Sequence, residues 1–206
     1  MPDITQALTY SAALGIAAAI PGPGMAALVA RSVSGGAISG FCLLGGLILG
    51  DLAYLSLAVF GLALVAEHFA ALFQLVRGCA ALYLCYLAWR FWVVRHEAVQ
   101  VGKVEHARAR WAAALSGLTI TLGNPKTIAF YLAILPLVID LQGVSVGVWA
   151  LVLVPLTILV LLAVGGAFVF AAVRIRHLLG SPRAQQRVFR GAAVMMVTAA
   201  ASMLIR

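Results

Sequence analysis

Two stretches of this chain, 53–66 and 144–173, carry no charged residue. A helix needs about 20 consecutive apolar residues to cross the hydrocarbon core of a bilayer. Runs of this kind inside a water-soluble domain would leave too little polar surface to face water. The whole chain agrees, with 64% hydrophobic and 10% charged residues. Soluble domains have about 45–50% and about 25%. The fold class that follows is an all-α integral membrane protein.

Apolar segments place six spans, at 4–29, 37–65, 68–94, 111–139, 144–173 and 188–205. Spans longer than the bilayer requires are absorbed by tilt or by breaks. The net charge of +8 would point to a nucleic-acid partner in a soluble protein. Here the basic residues sort by loop instead. Arg31 lies between the first two spans. Arg90, Arg95, Lys103, Arg108 and Arg110 lie around the 3–4 loop, and Arg174, Arg176, Arg183, Arg187 and Arg190 around the 5–6 loop. Only Arg206 falls on the opposite side. The positive-inside rule puts the first group in the cytoplasm and both termini outside. Tyr86, Trp89, Trp92 and Trp111 flank the basic 3–4 loop, as an interfacial aromatic belt does.

The N-terminus has no basic side chain before its first apolar stretch, which argues against a cleaved signal peptide. Cys42, Cys79 and Cys85 sit in apolar segments with no CxxC pair, so they are read as small apolar residues. Gly36 with Gly40, Gly46 with Gly50, and the pair Gly165-Gly166 fit close helix packing.

The strongest local feature is Pro21-Gly22-Pro23-Gly24 in the first span. Two prolines remove two backbone donors, and glycine disfavours helix. A second interruption, Gly123-Asn124-Pro125-Lys126, occupies the fourth span. With three spans per half, the halves have opposite orientation. The chain divides as 1–95, a first three-helix repeat, 96–110, a basic cytoplasmic loop, and 111–206, a second repeat, together one membrane domain. Broken helices at matching positions of inverted repeats point to a transporter's binding site. The competing explanation is a pair of proline kinks that only shape the bundle.

Charges deep inside the spans are few: Asp51, Arg77 and Lys126. Each costs about 2.5–3.5 kcal/mol at the centre of an isolated membrane helix, so they are expected to face one another or a wet cavity. One acid and two bases suit a carboxylate-bearing ligand, or form a structural ion pair. Asn124, Thr127 and Tyr131 follow i, i+3, i+7 and share a face, and Asp51 and Tyr54 are i, i+3 neighbours. Thr119 and Thr121 precede the second break, but a membrane threonine often bonds its own i−4 carbonyl. Asp51 is the candidate proton carrier, because apolar surroundings disfavour a charged carboxylate.

Enzymatic readings fail. There is no GxGD element with a second membrane aspartate, no serine in a GxSG setting, and no GxxxxGKS phosphate loop. His68, His96, His106 and His177 lie at span ends or in loops, with no metal-site spacing. No enzymatic activity, cofactor or resident metal is expected.

The motifs together resemble the lysine exporter (LysE/RhtB-type) family of bacterial amino-acid effluxers, over nearly the full length. The resemblance rests on Pro21-Gly22-Pro23, the Arg31-to-Gly40 turn, Gly50-Asp51, Leu82-Tyr83-Leu84-Cys85-Tyr86-Leu87 before Trp89, and Gly123-Asn124-Pro125-Lys126 with Leu135-Pro136. Ile20 and Gly24 stand where the family often has Thr and Asn, and Arg77 where Lys is common. The resemblance implies a secondary exporter in the bacterial inner membrane, an antiporter driven by the proton motive force. Its substrate would be an amino acid or a related small metabolite, and it would need no nucleic acid; a homo-oligomer is compatible with it. The candidate site, from the charges, spacings and breaks above, comprises Asp51, Lys126, Arg77, Asn124, Thr127, Tyr54, Tyr131 and the break residues Pro21, Gly22, Pro23, Gly24 and Pro125. The alternatives are a non-transporting structural or lipid-handling membrane protein, and a metal-ion exporter of the same superfamily.

Overall fold

The computed structural model describes residues 3–60, 107–141 and 144–178, with scattered helical positions within 82–92 and 190–201. Arg77, most of the expected third and sixth spans, and most of the basic 96–110 loop lie outside the described residues. Every regular element described is helical.

Helix α1 (Ile4–Ala19) starts where Asp3 supplies a cap, its carboxylate accepting the Gln6 N–H at 2.8 Å. It stops at Ile20, whose backbone is extended, because Pro21 cannot continue the hydrogen-bond ladder. Helix α2 (Pro23–Phe60) begins with proline in its first turn, where a missing N–H costs no intrahelical bond.

Gly36 interrupts α2 with φ 78° and ψ −175°, a backbone open to glycine and strained for any other residue. Eight residues of straight helix span about 12 Å. Yet a Cβ on Gly40 would strike the Ser32 hydroxyl, and one on Gly24 would lie 3.3 Å from Leu47 Cδ2. These pairings place the chain on both sides of Gly36 in antiparallel contact. The α2 segment is therefore a hairpin of two arms, 23–35 and 37–60, with Gly36 at its vertex. The loop expected around Arg31 is thus helix up to a one-residue turn, and Gly36 serves as that turn where helix packing was expected.

Helix α3 (Ala107–Leu122) is followed by a break at Gly123 and Asn124, then α4 (Pro125–Ala129), a π-helical turn over Phe130–Ile134 and α5 (Leu135–Val138). The axis bends by 53° across the break. A short α6 (Val146–Val148) passes through a second π turn, Trp149–Leu153, into α7 (Val154–Leu178). Both π turns end within two residues of a proline, Pro136 or Pro155. A widened turn accommodates a ring that would otherwise clash with the carbonyl four residues back.

The second arm of α2 is the centre of the packing, with α3 on one side and α7 on the other. Against α3 the contact is backbone to backbone. A Cβ on Gly46 would collide with the Ala114 carbonyl oxygen, and one on Gly117 with that of Leu43. One on Gly50 would lie 2.5 Å from Thr121 Cβ. Gly46 meets Ala114 and Leu118, Gly50 meets Leu118 and Thr121, and Tyr54 reaches Leu122 O, so the arm and α3 run parallel. Glycines at these positions let two backbones touch, which no larger side chain permits.

Among the described residues, large apolar side chains face outward, and the mostly apolar core encloses a few polar side chains. Leu137 and Leu151 are 84% and 80% exposed, whereas Ser32, Ser39, Thr121, Asn124, Thr127 and Thr157 are buried. Among the described residues, the apolar segments Pro23–Phe60 and Val146–Ile175 are long and apolar enough to cross a membrane, and Arg108–Leu122 with Pro125–Val138 joins them if the bent pair counts as one span. The 37–60 arm alone reaches about 36 Å at 1.5 Å per residue, more than the about 30 Å of a hydrocarbon core. Tyr86, Trp89, Trp92 and Trp111 are exposed, and Arg190 stands 5.2 Å over the Trp92 ring.

Candidate functional site

In an unbroken helix the Ala17 carbonyl would accept from the N–H of residue 21, but residue 21 is proline. The Ala17 oxygen is left without a helical partner, in a segment where lipid offers no water to replace it. The side chain that supplies the missing donor comes from the other break. Lys126 Nζ donates to Ala17 O at 2.8 Å and to Ile20 O at 2.8 Å. A cation there also meets the negative end of the α1 dipole.

The second break repeats the logic with different parts. Thr121 O would accept from residue 125, which is again proline. The Asn124 N–H takes its place, one residue early, at 3.0 Å. Asn124 then caps the next helix, its Oδ1 accepting the Lys126 backbone N–H at 3.1 Å. Leu122 O, stranded because that N–H has gone to Asn124, accepts from the Tyr54 hydroxyl. The cap therefore comes from the hairpin arm that also carries Asp51.

The two breaks touch. A Cβ on Gly22 would lie 3.4 Å from Lys126 Nζ, and one on Gly24 would lie 4.0 Å from Asn124 Nδ2. Tyr10 of α1 meets Phe130 with ring centroids 6.4 Å apart, so the broken helices run antiparallel through their crossing. Between them lies a cavity of about 50 Å³, lined by Asp51, Thr121, Asn124, Lys126 and Thr127 with an apolar remainder. That is room enough for ordered water beside the carboxyl and the ammonium. Two helix N-termini, at Pro23 and Pro125, and one helix C-terminus, at Ala19, converge on it. Such ends attract anions and cations respectively.

Asp51 and Lys126 share the cavity wall, yet no ion pair joins them, because the Lys126 ammonium is held by the α1 carbonyls. The expected charge pair or carboxylate hook is thus a helix cap in this structure. Behind Asp51 lies a cluster of aromatic hydroxyls. Tyr131 is fully buried and stacks on Tyr54 at 6.4 Å with a 19° interplanar angle. Its hydroxyl is turned toward Asp51 and Tyr10 without hydrogen-bond geometry to either. The Tyr10 hydroxyl and Thr157 Oγ1 are 2.6 Å apart, and Thr157 also donates to Leu153 O at 2.7 Å.

Of the residues selected from sequence, Asp51, Asn124, Lys126, Thr127 and Gly24 line the cavity, Gly22 faces Lys126 Nζ, and Tyr54 and Tyr131 stand behind. Pro21, Pro23 and Pro125 act through the backbone bonds they lack. Arg77 lies outside the described residues. Thr119 bonds the Leu115 carbonyl four residues back at 2.9 Å. Thr121, set aside on the same ground, in fact lines the cavity. Tyr10 and Thr157 were missed. The available signal was a hydroxyl-bearing side chain within each apolar span, although spacing alone does not pair residues so far apart in the chain.

The protein-family model described as LysE type translocator matches residues 15–206. No curated protein and no solved structure matches the chain.

Proposed function

The chain belongs to the LysE type translocator family, and from that premise we propose that it exports amino acids or closely related small metabolites across the bacterial inner membrane in exchange for protons. The observation that carries this reading is the meeting of two broken helices at a cavity bearing a carboxyl, an ammonium and a carboxamide. Non-helical backbone at membrane depth is retained where it lines a path for a polar solute. In this account the substrate carboxylate takes the helix N-termini at Pro23 and Pro125, its amine takes the carbonyl end of α1, and Asp51 carries the proton. Alternating access would open this cavity to one side of the membrane and then to the other.

The architecture proposed is six spans in two inverted three-helix repeats with both termini outside. It is supported by the antiparallel crossing of the broken helices and the eleven-to-one basic count among loops. Arg31 Nη2 reaches the Ala109 carbonyl at 3.4 Å, which brings the basic end of α3 to the hairpin vertex, as a shared cytoplasmic face requires. A non-transporting role is disfavoured by the polar cavity and by the absence of an Asp51–Lys126 lock.

The test loads cells with labelled amino acids singly and follows efflux with and without an uncoupler. The reading expects at least one amino acid to leave faster when the protein is expressed, and the excess to vanish with the uncoupler. Efflux unchanged across the full panel would overturn export of this class; uncoupler-resistant excess efflux would overturn proton coupling.

A further inference from the structure

The Lys126 ammonium occupies a site it does not own. Its two oxygen partners belong to another helix, more than a hundred positions earlier in sequence, and both exist because proline ends α1 there. Such a carbonyl pair recognises a primary ammonium in general, through short charge-assisted hydrogen bonds along the negative end of a helix dipole. We propose that the carbonyl oxygens of Ala17 and Ile20 form the subsite for the ammonium group of the transported solute, and that Lys126 is a tethered competitor which closes it until the solute displaces it.

This inference rests on the export reading and adds its recognition chemistry. Three features of the site support it. The flexible four-carbon stem of lysine lets its ammonium swing away without moving backbone. Gly22 presents no side chain to the ammonium, since even a Cβ there would sit 3.4 Å from Nζ. Ala17, Lys126 and Asp51 line one cavity, so a displaced Lys126 has a carboxylate across the same space to turn to. The exchange conserves charge: one ammonium replaces another on the carbonyls, and the released one faces Asp51. The N-terminal turn of α2, whose Gly24 and Met25 line the same cavity, takes the carboxylate end of the solute. The site therefore selects solutes bearing a primary or protonated amine close to an acid, and rejects N-acylated and quaternary analogues, which lack the N–H donors.

A tethered group competes at an effective concentration on the order of millimolar or above. A free amine must exceed that to enter the wild-type site, and is relieved of the competition when the tether is cut. The experiment measures thermal stabilisation of purified full-length protein by methylammonium, which fits the cavity, and by tetramethylammonium, which has no N–H. In Lys126→Met, methylammonium is expected to raise Tm with a half-saturating concentration at least about tenfold below that of wild type, and tetramethylammonium is expected to do nothing in either. Lys126→Gln, whose amide still gives the carbonyls a donor, serves where the Met variant yields too little folded protein, and the same ordering is expected. Equal half-saturation in wild type and variant, or equal stabilisation by tetramethylammonium, would overturn the subsite. The readout does not need transport: a methylammonium effect without amino-acid efflux leaves the subsite standing and removes the export reading, and efflux without a methylammonium effect does the reverse.

Discussion

Both interruptions begin with a proline that cannot donate, and they differ in what completes them. At the first, the stranded Ala17 carbonyl is satisfied by an ammonium on a flexible stem from a distant helix. At the second, Asn124 takes up Thr121 O with its own N–H and caps the following helix with its own side chain. Leu122 O is closed by Tyr54, from a helix held to α3 through glycine contacts. The second break is therefore self-completed and anchored, and the first is held by a part that can leave. In the export reading proposed above, the second break is the fixed side and the first is the one that yields.

The anchored side can be tested most severely at its seam. Gly46→Leu drives a side chain into the Ala114 carbonyl, where neither backbone can withdraw. No monodisperse folded protein is expected on size exclusion; a normal yield would mean that the arm and α3 are not locked. Lys126→Met should come next in size. It leaves two carbonyls without donors, each costing about 1–3 kcal/mol, and a clear fall in Tm is expected. Tyr54→Phe strands only the Leu122 carbonyl and should cost about 1–3 kcal/mol in total. A Tyr54→Phe loss exceeding that of Lys126→Met would reverse the assignment of the movable break.

The smallest effect is the most diagnostic. Pro21→Ala restores an N–H that can reach Ala17 O, so it should matter more once Lys126 is gone. In a double-mutant cycle, Pro21→Ala should recover about 0.5–1.5 kcal/mol in the Lys126→Met background beyond whatever it does alone. Additive behaviour would show that Lys126 is not standing in for the proline's missing donor.

The position of both breaks was legible in the sequence because proline acts locally: Pro21 and Pro125 end their ladders whatever surrounds them. The apolar runs within Pro23–Phe60 and Val146–Ile175, and the polar setting of Asp51, were legible because membrane insertion penalises charge regardless of fold. The partner of Lys126 was not. Electrostatics pointed to Asp51, and the actual partners are backbone oxygens, which carry no sequence label and are freed only by the break itself. Gly36 was misread for a related reason. Its spacing to Gly40 matches a packing motif, and only the backbone distinguishes a contact glycine from a turn glycine. Tyr10 and Thr157 were invisible because a lone hydroxyl in an apolar run gives no hint of what lies opposite.

The central claim is that the cavity between the breaks carries the solute and that Asp51 couples its movement to protons. The most direct measurement is pH-gradient-driven export of a solute identified by the efflux panel, in proteoliposomes holding equal amounts of inserted wild type, Asp51→Asn, and Asp51→Asn with Lys126→Met. Asn keeps the shape of Asp51 and cannot release a proton. The account predicts that Asp51→Asn inserts and folds normally, that it loses gradient-driven export, and that the double variant does not regain it. Gradient-driven export in either variant at the wild-type rate would contradict the account and remove Asp51 from the mechanism.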